Sequence, residues 1–209
     1  MITIHDGNYH YSEDIGIHDI NFYIEKGETV ALMEPNGTGE STLFKILVGL
    51  LLLSSGQYHF NDWTVDAYFL KGPSNAGNLY QQVGLIFQNS DIQLFNTTVA
   101  EELAFGPRQL GLPEEKIEQR VNDTLALLEI EHLKDRIPHH LSAGEKKLVA
   151  IASVLTMNPS VLLFDEPFNG LSPKYQRVLV FSEEHTLTGD FSKEEWEGNP
   201  EFRENFHLG

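Results

Sequence analysis

The chain has 209 residues, a length that suits one domain with a subdomain and is enough to bury a core. Its 14 Lys and Arg against 31 Asp and Glu give a net charge of −17, which argues against general binding to nucleic acid or to an anionic membrane surface. With 41% hydrophobic residues and no cysteine, it is expected to fold without disulfides or thiolate metal sites, as cytoplasmic proteins do.

No targeting or membrane-spanning segment is visible in the sequence. Residues 1–14 lack the basic start and the apolar run of a secretory signal. The longest apolar stretch, residues 46–53, is far shorter than the roughly 20 residues that span a bilayer. We therefore expect no direct insertion into a membrane.

The N-terminal part of the chain predicts a strand, a loop and a helix in succession. Apolar residues first alternate with polar ones, which is typical of an antiparallel strand, and then become continuous, which is typical of a buried strand. The predicted elements are an antiparallel strand at 20–24, a turn at 26–28, a buried strand at 29–33, a Gly-rich loop at 34–42 and a helix at 43–53.

Two later strands, at 83–87 and 161–164, are short and apolar throughout, which is typical of parallel strands buried on both faces. The stretch between them is mainly helical, over about 97–157, with one helix beginning near Pro113 and another over 143–157. The predicted inner faces are Ile117, Val121, Leu125 and Leu128 on the first helix, and Leu148, Ile151, Ala152 and Leu155 on the second. The sequence therefore predicts an α/β core with a helical insert.

The loop at 34–42 resembles a Walker A phosphate-binding loop, GxxxxGK[ST]. In that motif backbone N–H groups surround the phosphates, a lysine reaches the β- and γ-phosphates, and Ser or Thr binds Mg²⁺. Here Glu34 stands at the position of the first glycine and Glu40 at the position of the lysine. Taken alone, the loop could equally be an ordinary Gly-rich turn that caps a helix through Ser41.

Other motifs follow the loop in a fixed order, and chance does not readily produce the series. They are Gln88 at a strand end, Leu141-Ser-Ala-Gly-Glu145 at a helix start, Val161-Leu-Leu-Phe-Asp-Glu-Pro167, and Asn169-Gly-Leu-Ser-Pro173. The set resembles the nucleotide-binding subunit of ATP-binding-cassette (ABC) transporters. The segments Phe87-Gln-Asn-Ser-Asp-Ile-Gln-Leu-Phe95 and Thr98-Val-Ala-Glu-Glu-Leu-Ala-Phe-Gly-Pro107 narrow the resemblance to the cobalt-type or energy-coupling-factor ATPases.

The resemblance covers about residues 1–175 and implies a fold. That fold is an α/β P-loop NTPase of the ABC ATPase type, with an N-terminal antiparallel β subdomain and a helical signature subdomain. The implied domains are a nucleotide-binding domain at 1–181, with its helical subdomain at about 97–157, and a divergent acidic tail at 182–209.

The resemblance also implies roles for individual residues. Tyr11 would stack on adenine, with an ordinary strand aromatic as the alternative, and Glu166 would be the general base. The implied phosphate contacts are Asn36, Gly37, Thr38, Gly39, Glu40, Ser41 and Thr42 in the loop, and Ser142 and Gly144 toward a γ-phosphate held by a second subunit. The implied Mg²⁺ site is formed by Ser41, Gln88 and Asp165, and Gln88 would also touch the attacking water.

The implied cofactors are ATP and Mg²⁺, and the implied partners are transmembrane permease subunits and a second ABC ATPase subunit. Such a protein would lie peripherally on the cytoplasmic face of the cell membrane and drive uptake of a metal ion or a small cofactor. Two alternatives stay open. One is an impaired subunit that lends Ser142 and Gly144 to an intact ATPase, and the other is a fragment without a transport role.

Three departures from the family pattern bear on these expectations. One is within the signature, where Ala143 and Glu145 replace Gly and Gln, and the alanine is a mild change. A charge pair about 4 Å apart is worth about 4 kcal/mol at an effective dielectric constant of about 20, so the reversed charge at Glu40 should weaken ATP binding by orders of magnitude. After about Lys174, the strand and switch histidine of the family are not recognisable. His185 has no apolar strand before it, and His139 and His140 are expected to be surface or core residues rather than metal ligands.

Overall fold

The computed structural model describes residues 1–12, 15–33, 39–165, 177–181, 185–192 and 194–195. The chain divides into two compact units. The first unit comprises the described parts of Met1–Ala76 and Gly170–Gly209, and the second unit those of Gly77–Asn169. No helix within the described ranges is both long enough and apolar enough to cross a bilayer.

The first unit contains the predicted antiparallel sheet. Its strands are β1 (Ile2–Ser12), β2 (Ile15–Ile24), β4 (Ser55–Phe60) and β5 (Trp63–Thr64), in the spatial order β2-β1-β4-β5. Apolar residues at alternate positions are buried, including Ile2 and Ile4. Gly56 has φ +89 and lies so close to Asp6 that a Cβ would be 2.2 Å from its carbonyl oxygen, which is why glycine is needed there. The strand predicted at 20–24 is the second half of β2.

A second, three-stranded sheet in the first unit corrects the expectation for the chain after Lys174. Strand β3 (Val30–Met33) pairs in parallel with β8 (Arg177–Phe181), and β9 (Leu187–Ser192) pairs antiparallel with β8. The expectation of no recognisable strand there is wrong, and so is the statement that no apolar strand precedes His185. Pairing with a strand nearly 150 positions earlier stabilises β8, and local sequence does not show such a pairing.

Burial in this sheet also differs from the prediction. The strand predicted at 29–33 is only half-buried at Val30, Ala31 and Leu32, whereas Leu179 on β8 is 2% exposed. In the part of the chain that is described, β3 pairs only with β8, so β8 rather than β3 has a strand on both sides. The predicted domain boundary at residue 181 stays a prediction, and β9 lies beyond it.

The helix predicted at 43–53 is shorter and earlier than expected. Helix α1 (Glu40–Leu47) begins three residues before the predicted start at residue 43 and ends six residues before the predicted end at residue 53. Gly49 has φ +79, and its N–H donates to the Ile46 carbonyl while that of Leu50 donates to Lys45. These paired bonds are a Schellman motif, which ends the helix although the apolar run continues.

Two short helices that the sequence did not predict follow β5, namely α2 (Ala67–Lys71) and α3 (Pro73–Gln82). Asp66 begins the first of them, because its carboxylate accepts a 2.7 Å hydrogen bond from the Phe69 amide. Leu79 is the buried residue of α3, which is otherwise rich in small and polar side chains. A weak apolar stripe of this kind explains why the helix was not visible in the sequence.

The second unit has a parallel pair of strands and the predicted helical insert. Strand β6 (Val83–Ile86) pairs in parallel with β7 (Val161–Phe164), as predicted. The prediction that these strands are buried on both faces is wrong at Leu162, which is 37% exposed. The elements between these strands are α4 (Val99–Gln109), α5 (Glu114–Leu127) and α6 (Ala143–Leu155), with 3-10 turns at Ser90–Ile92, Glu131–Leu133 and Pro138–His140.

The helices of the second unit pack around one apolar core. On α5 the predicted stripe is confirmed, with Leu128 partly buried at its end. On α6 the predicted inner face is confirmed at Ala152 and at Leu148, which is partly buried against this core, but Ile151 and Leu155 are not among the core residues. The buried residues there are Val149, Ala150 and Ala152, while Leu148, Ile151 and Leu155 are half-buried. Because α6 contacts α4, α5 and β6, its small residues lie deepest and the larger ones lie beside them.

Candidate nucleotide-binding site

The loop that resembles Walker A enters α1 through a glycine in an unusual conformation. Gly39 is the N-cap residue of α1 with φ +142, a region that other residues avoid. The structure therefore gives a physical reason for glycine at this position. Glu34, Asn36, Gly37 and Thr38 lie outside the described residues.

The N-terminus of α1 has the features of an anion-binding turn. Gly39 provides no side-chain cap, and Ser41 and Thr42 follow in the first turn, with Ser41 exposed and Thr42 half-buried. The N–H groups and the helix dipole at such an end attract negative groups. Glu40, also in the first turn, brings a carboxylate to this end of the helix. It therefore competes with a phosphate for the same positive potential.

Tyr11, at the end of β1, lies beside this turn. Its hydroxyl is 3.4 Å from the Thr42 Oγ1, and its ring contacts Tyr9 edge-on with centroids 4.8 Å apart. The Tyr11 residue remains 51% exposed. The structure thus brings the predicted adenine-stacking residue to the predicted phosphate turn and leaves much of its surface accessible.

In the second unit, Gln88 and Asp165 follow two adjacent parallel strands. Ile86 and Phe164 are register partners, and the Asp165 amide donates a 2.9 Å hydrogen bond to the Ile86 carbonyl. Both residues therefore lie at the carboxyl edge of the β6–β7 pair, where α/β proteins place their ligands. Glu166, the predicted base, lies outside the described residues.

The segment after Gln88 is fastened to α6. Gln93 accepts a 3.3 Å hydrogen bond from the Phe87 amide, and its side-chain amide donates to the Ala150 carbonyl at 3.1 Å. Asp91 forms a 2.6 Å ion pair with Lys146 in the first turn of α6. The sequence motifs predicted no role for Gln93 or Asp91, although both lie between Phe87 and Phe95.

Ser142 and Gly144 lie at the start of α6 and are exposed. A capping box orders this turn. The Ser142 amide donates to Glu145 Oε2 at 2.8 Å, the Ser142 hydroxyl donates to the same oxygen at 2.6 Å, and the Glu145 amide donates to the hydroxyl at 3.4 Å. The bonds from the Ser142 hydroxyl and amide lower the pKa of Glu145. A Cβ on Gly144 would have no atom within 4 Å.

The residues predicted to bind Mg²⁺ carry the oxygen atoms that this ion prefers. Ser41 supplies a hydroxyl in the first unit, and Gln88 and Asp165 supply an amide and a carboxylate in the second. Within the described ranges, no group of three or more His, Asp or Glu residues is arranged to hold a metal ion.

The structure also reveals an apolar patch, defined here as Ile92, Phe95 and Phe105. These residues are 69%, 60% and 40% exposed, and the two phenylalanine rings meet edge-on with centroids 4.9 Å apart. Nearby Glu102 is buried at 4% exposure. The sequence does not show that these three residues are exposed. It does show that Glu102 lies between Val99 and Leu103, so that the inner face of α4 includes a carboxylate.

Comparison with known proteins places these features in a family. Residues 17–169 match the family described as ABC transporter. The chain is 46% identical over 180 residues to the nickel import ATP-binding protein LarO of Lactiplantibacillus plantarum, an alignment covering 86% of this chain and 75% of LarO. It is 43% identical over 175 residues to the energy-coupling factor transporter ATP-binding protein EcfA of Methanothermobacter thermautotrophicus, covering 83% of this chain and 55% of EcfA.

A solved structure agrees with this result. CbiO1 from Clostridium perfringens, described as part of the ABC transporter complex CbiONQ, superposes with a TM-score of 0.81 at 32% identity. The superposition covers 99% of this chain and 94% of CbiO1. The α/β P-loop fold predicted from the sequence is therefore confirmed.

Proposed function

Because the chain belongs to the ABC transporter family, as an ATP-binding subunit, we propose that it drives uptake of nickel, cobalt or a vitamin-class solute. Members of this family bind ATP, generally with Mg²⁺. The proposal is supported most directly by the nickel import relative, which is 46% identical to this chain over 180 residues. The nucleotide-binding domain is proposed to comprise residues 1–181, followed by an acidic tail at 182–209.

The observation in the structure that carries the proposal is the register of β6 and β7. With Ile86 opposite Phe164, Gln88 and Asp165 leave the same edge of the sheet. We assign Gln88, Asp165 and Ser41 to Mg²⁺, and Glu166 to the attacking water as its general base. Water would then attack the γ-phosphorus while Glu166 accepts its proton and ADP leaves.

The remaining residues of the proposed site bind the nucleotide. Tyr11 would stack on adenine, since its ring lies beside the first turn of α1. The phosphates would contact the loop residues Asn36, Gly37, Thr38, Gly39, Glu40, Ser41 and Thr42. Ser142 and Gly144, exposed at the start of α6, would contact the γ-phosphate held by a second ATPase subunit.

The partner that fits the apolar patch is a transmembrane permease subunit. Exposed aromatic rings in contact with each other suit apolar side chains of a docking protein. Cytoplasmic loops of membrane proteins are enriched in Lys and Arg, which complements the net charge of −17 on this chain. The proposed location is therefore the cytoplasmic face of the membrane, where the chain is held through that partner.

A second candidate function follows from Glu40. Its carboxylate is in the first turn of α1, and Lys45, in the last turn, lies at the wrong end to replace the missing lysine. Repulsion between the Glu40 carboxylate and a phosphate about 4 Å away would be worth about 4 kcal/mol at an effective dielectric constant of about 20. In this version the chain hydrolyses no ATP at its own loop and lends Ser142 and Gly144 to an intact ATPase.

Nickel uptake in an L. plantarum strain lacking LarO tests both candidates. The strain would express either the wild-type chain or the Glu34→Gly, Glu40→Lys double variant. Restoration by the wild type supports a complete subunit, and restoration by the double variant alone supports an impaired loop. Failure of both proteins, at matched expression, would contradict a role in nickel uptake.

Mixing the purified chain with LarO that carries an inactivated signature motif tests the lending role. ATP hydrolysis should appear only in the mixture and should be lost when the chain carries Ser142→Ala. Robust hydrolysis by the purified chain alone would contradict the second candidate. A lack of cooperative melting would instead favour a fragment without a transport role.

A further inference from the structure

Glu102 is a buried residue whose carboxylate binds the backbone at Phe95, a residue of the apolar patch, and at the neighbouring Asn96. Its Oε2 accepts hydrogen bonds from the Phe95 amide at 2.9 Å and from the Asn96 amide at 2.8 Å. The residue is 4% exposed. Among the residues that the structure describes, no Lys, Arg or His forms an ion pair with Glu102.

A carboxylate in this position needs strong compensation, because burial of a charge without a cation is costly. The two short bonds from amides supply part of it, since hydrogen bonds to an ionised group are about twice as strong as neutral ones. Glu102 also lies in the N-terminal part of α4, which Thr98 caps, so the positive end of the helix adds to this compensation. The arrangement ties the backbone at residues 95–96 to α4.

The segment fixed in this way carries the most exposed ring of the apolar patch. Phe95 is 60% exposed and contacts Phe105, which projects from α4 three residues after Glu102. Glu102 and Phe105 are thus on the same helix, and the carboxylate holds Phe95 at the distance that the edge-on contact requires. Without the carboxylate, the amides of Phe95 and Asn96 would have to turn toward water.

We propose that Glu102 is a positioning residue for partner docking, which fixes Phe95 against Phe105 so that the apolar patch is preorganised for the permease subunit. This inference rests on the proposed function, because that function supplies the partner. Preorganisation matters because a partner that must order a loose loop loses affinity in doing so. Glu102 itself contacts neither nucleotide nor partner in this scheme.

Amide hydrogen exchange in the full chain tests the positioning directly. In Glu102→Ala the amides of Phe95 and Asn96 should exchange about tenfold faster or more, while the buried α6 amides of Val149 and Ala150 keep their rates. Glu102→Gln should preserve most of the protection, because its side-chain oxygen can still accept both bonds. Unchanged exchange at Phe95 and Asn96 in Glu102→Ala would overturn the inference.

The matched control is Glu101→Ala. Glu101 is the neighbouring glutamate of α4, exposed and paired with Arg108 at 3.0 Å. Its removal changes the net charge by the same amount and should leave the exchange of Phe95 and Asn96 unaltered. Acceleration by both variants alike would mean that the effect is electrostatic or global, and the inference would fail.

Binding to membranes from the L. plantarum strain lacking LarO tests the docking role. The wild-type chain should bind, Glu102→Ala should bind about tenfold more weakly, and Glu102→Gln should recover most of the affinity. Equal binding by the wild type and Glu102→Ala would refute the docking role alone. Absence of wild-type binding would refute the proposed partner, and the docking role with it.

Discussion

The Asp165 amide donates a 2.9 Å hydrogen bond to the Ile86 carbonyl, which extends the β6–β7 ladder one residue beyond its last register pair. The carboxylate of Asp165 is therefore presented at the edge of the sheet, where the chain after β6 also emerges with Gln88. Parallel sheets bind ligands at this edge because consecutive strands all end there.

Charge reversal at the phosphate loop should raise affinity for Mg-ATP. We expect the Glu34→Gly, Glu40→Lys variant to bind at least about 100-fold more tightly than the wild type, since an attraction replaces a repulsion. Isothermal titration calorimetry would measure both affinities. Glu118→Lys, a reversal on the exposed side of α5, is the matched control and should change little. Equal affinities of the double variant and the wild type would contradict the electrostatic argument.

Removal of the Asp165 charge should weaken the binding of the Mg²⁺ that accompanies the nucleotide. In the double-variant background, Asp165→Asn should require about tenfold more Mg²⁺ for half-maximal ATP binding, because a charged oxygen ligand is lost. Titration of Mg²⁺ at fixed ATP would measure this. Asp123→Asn, an exposed position on α5, provides the control. An unchanged Mg²⁺ requirement would remove Asp165 from the proposed metal site.

Loss of the Tyr11 ring should lower nucleotide affinity by about tenfold, because stacking of a base on an aromatic ring is worth about 1–3 kcal/mol. Tyr11→Ala in the double-variant background should show this loss, and Tyr11→Phe should not. Tyr68→Ala removes a tyrosine that is 87% exposed and serves as the control. A loss in Tyr11→Phe equal to that in Tyr11→Ala would instead assign the effect to the hydroxyl near Thr42.

The sequence predicted the parallel strands that lead to Gln88 and Asp165 but not the pairing of β8 with β3, and the reason is physical. Motifs such as the one at Val161–Pro167 depend on local chemistry, and their polar residues follow the strands predicted at 83–87 and 161–164. Pairing of β8 with β3 depends on residues nearly 150 positions apart, and local sequence does not show such a pairing. The helix predicted at 43–53 extends too far because the apolar run continues past Gly49, whose positive φ and paired hydrogen bonds end α1.

Stability should depend on pH through the capping box of α6. Since the pKa of Glu145 in the folded chain is below its ordinary value of 4.5, the ionised form is favoured by folding. Its contribution is therefore complete above pH about 4.5 and is lost as the pH falls through the lowered pKa. The difference in melting temperature between wild type and Glu145→Gln should shrink from pH 6 toward pH 3. A constant difference would contradict the linkage.

Two glycines of the second unit should respond in opposite ways to substitution by alanine. A Cβ on Gly84 would lie 2.3 Å from Val154 Cγ1, so Gly84→Ala should destabilise the fold by about 1–3 kcal/mol. Gly144 has open space around it and lies in the first turn of α6, so Gly144→Ala should be neutral or stabilising by up to about 1 kcal/mol. Urea denaturation would measure both changes.

Because Gly144 is proposed to contact the γ-phosphate of a second subunit, Gly144→Ala should nevertheless reduce ATP hydrolysis in the mixture with signature-inactivated LarO. Full activity of this stable variant would exclude Gly144 from the proposed contact.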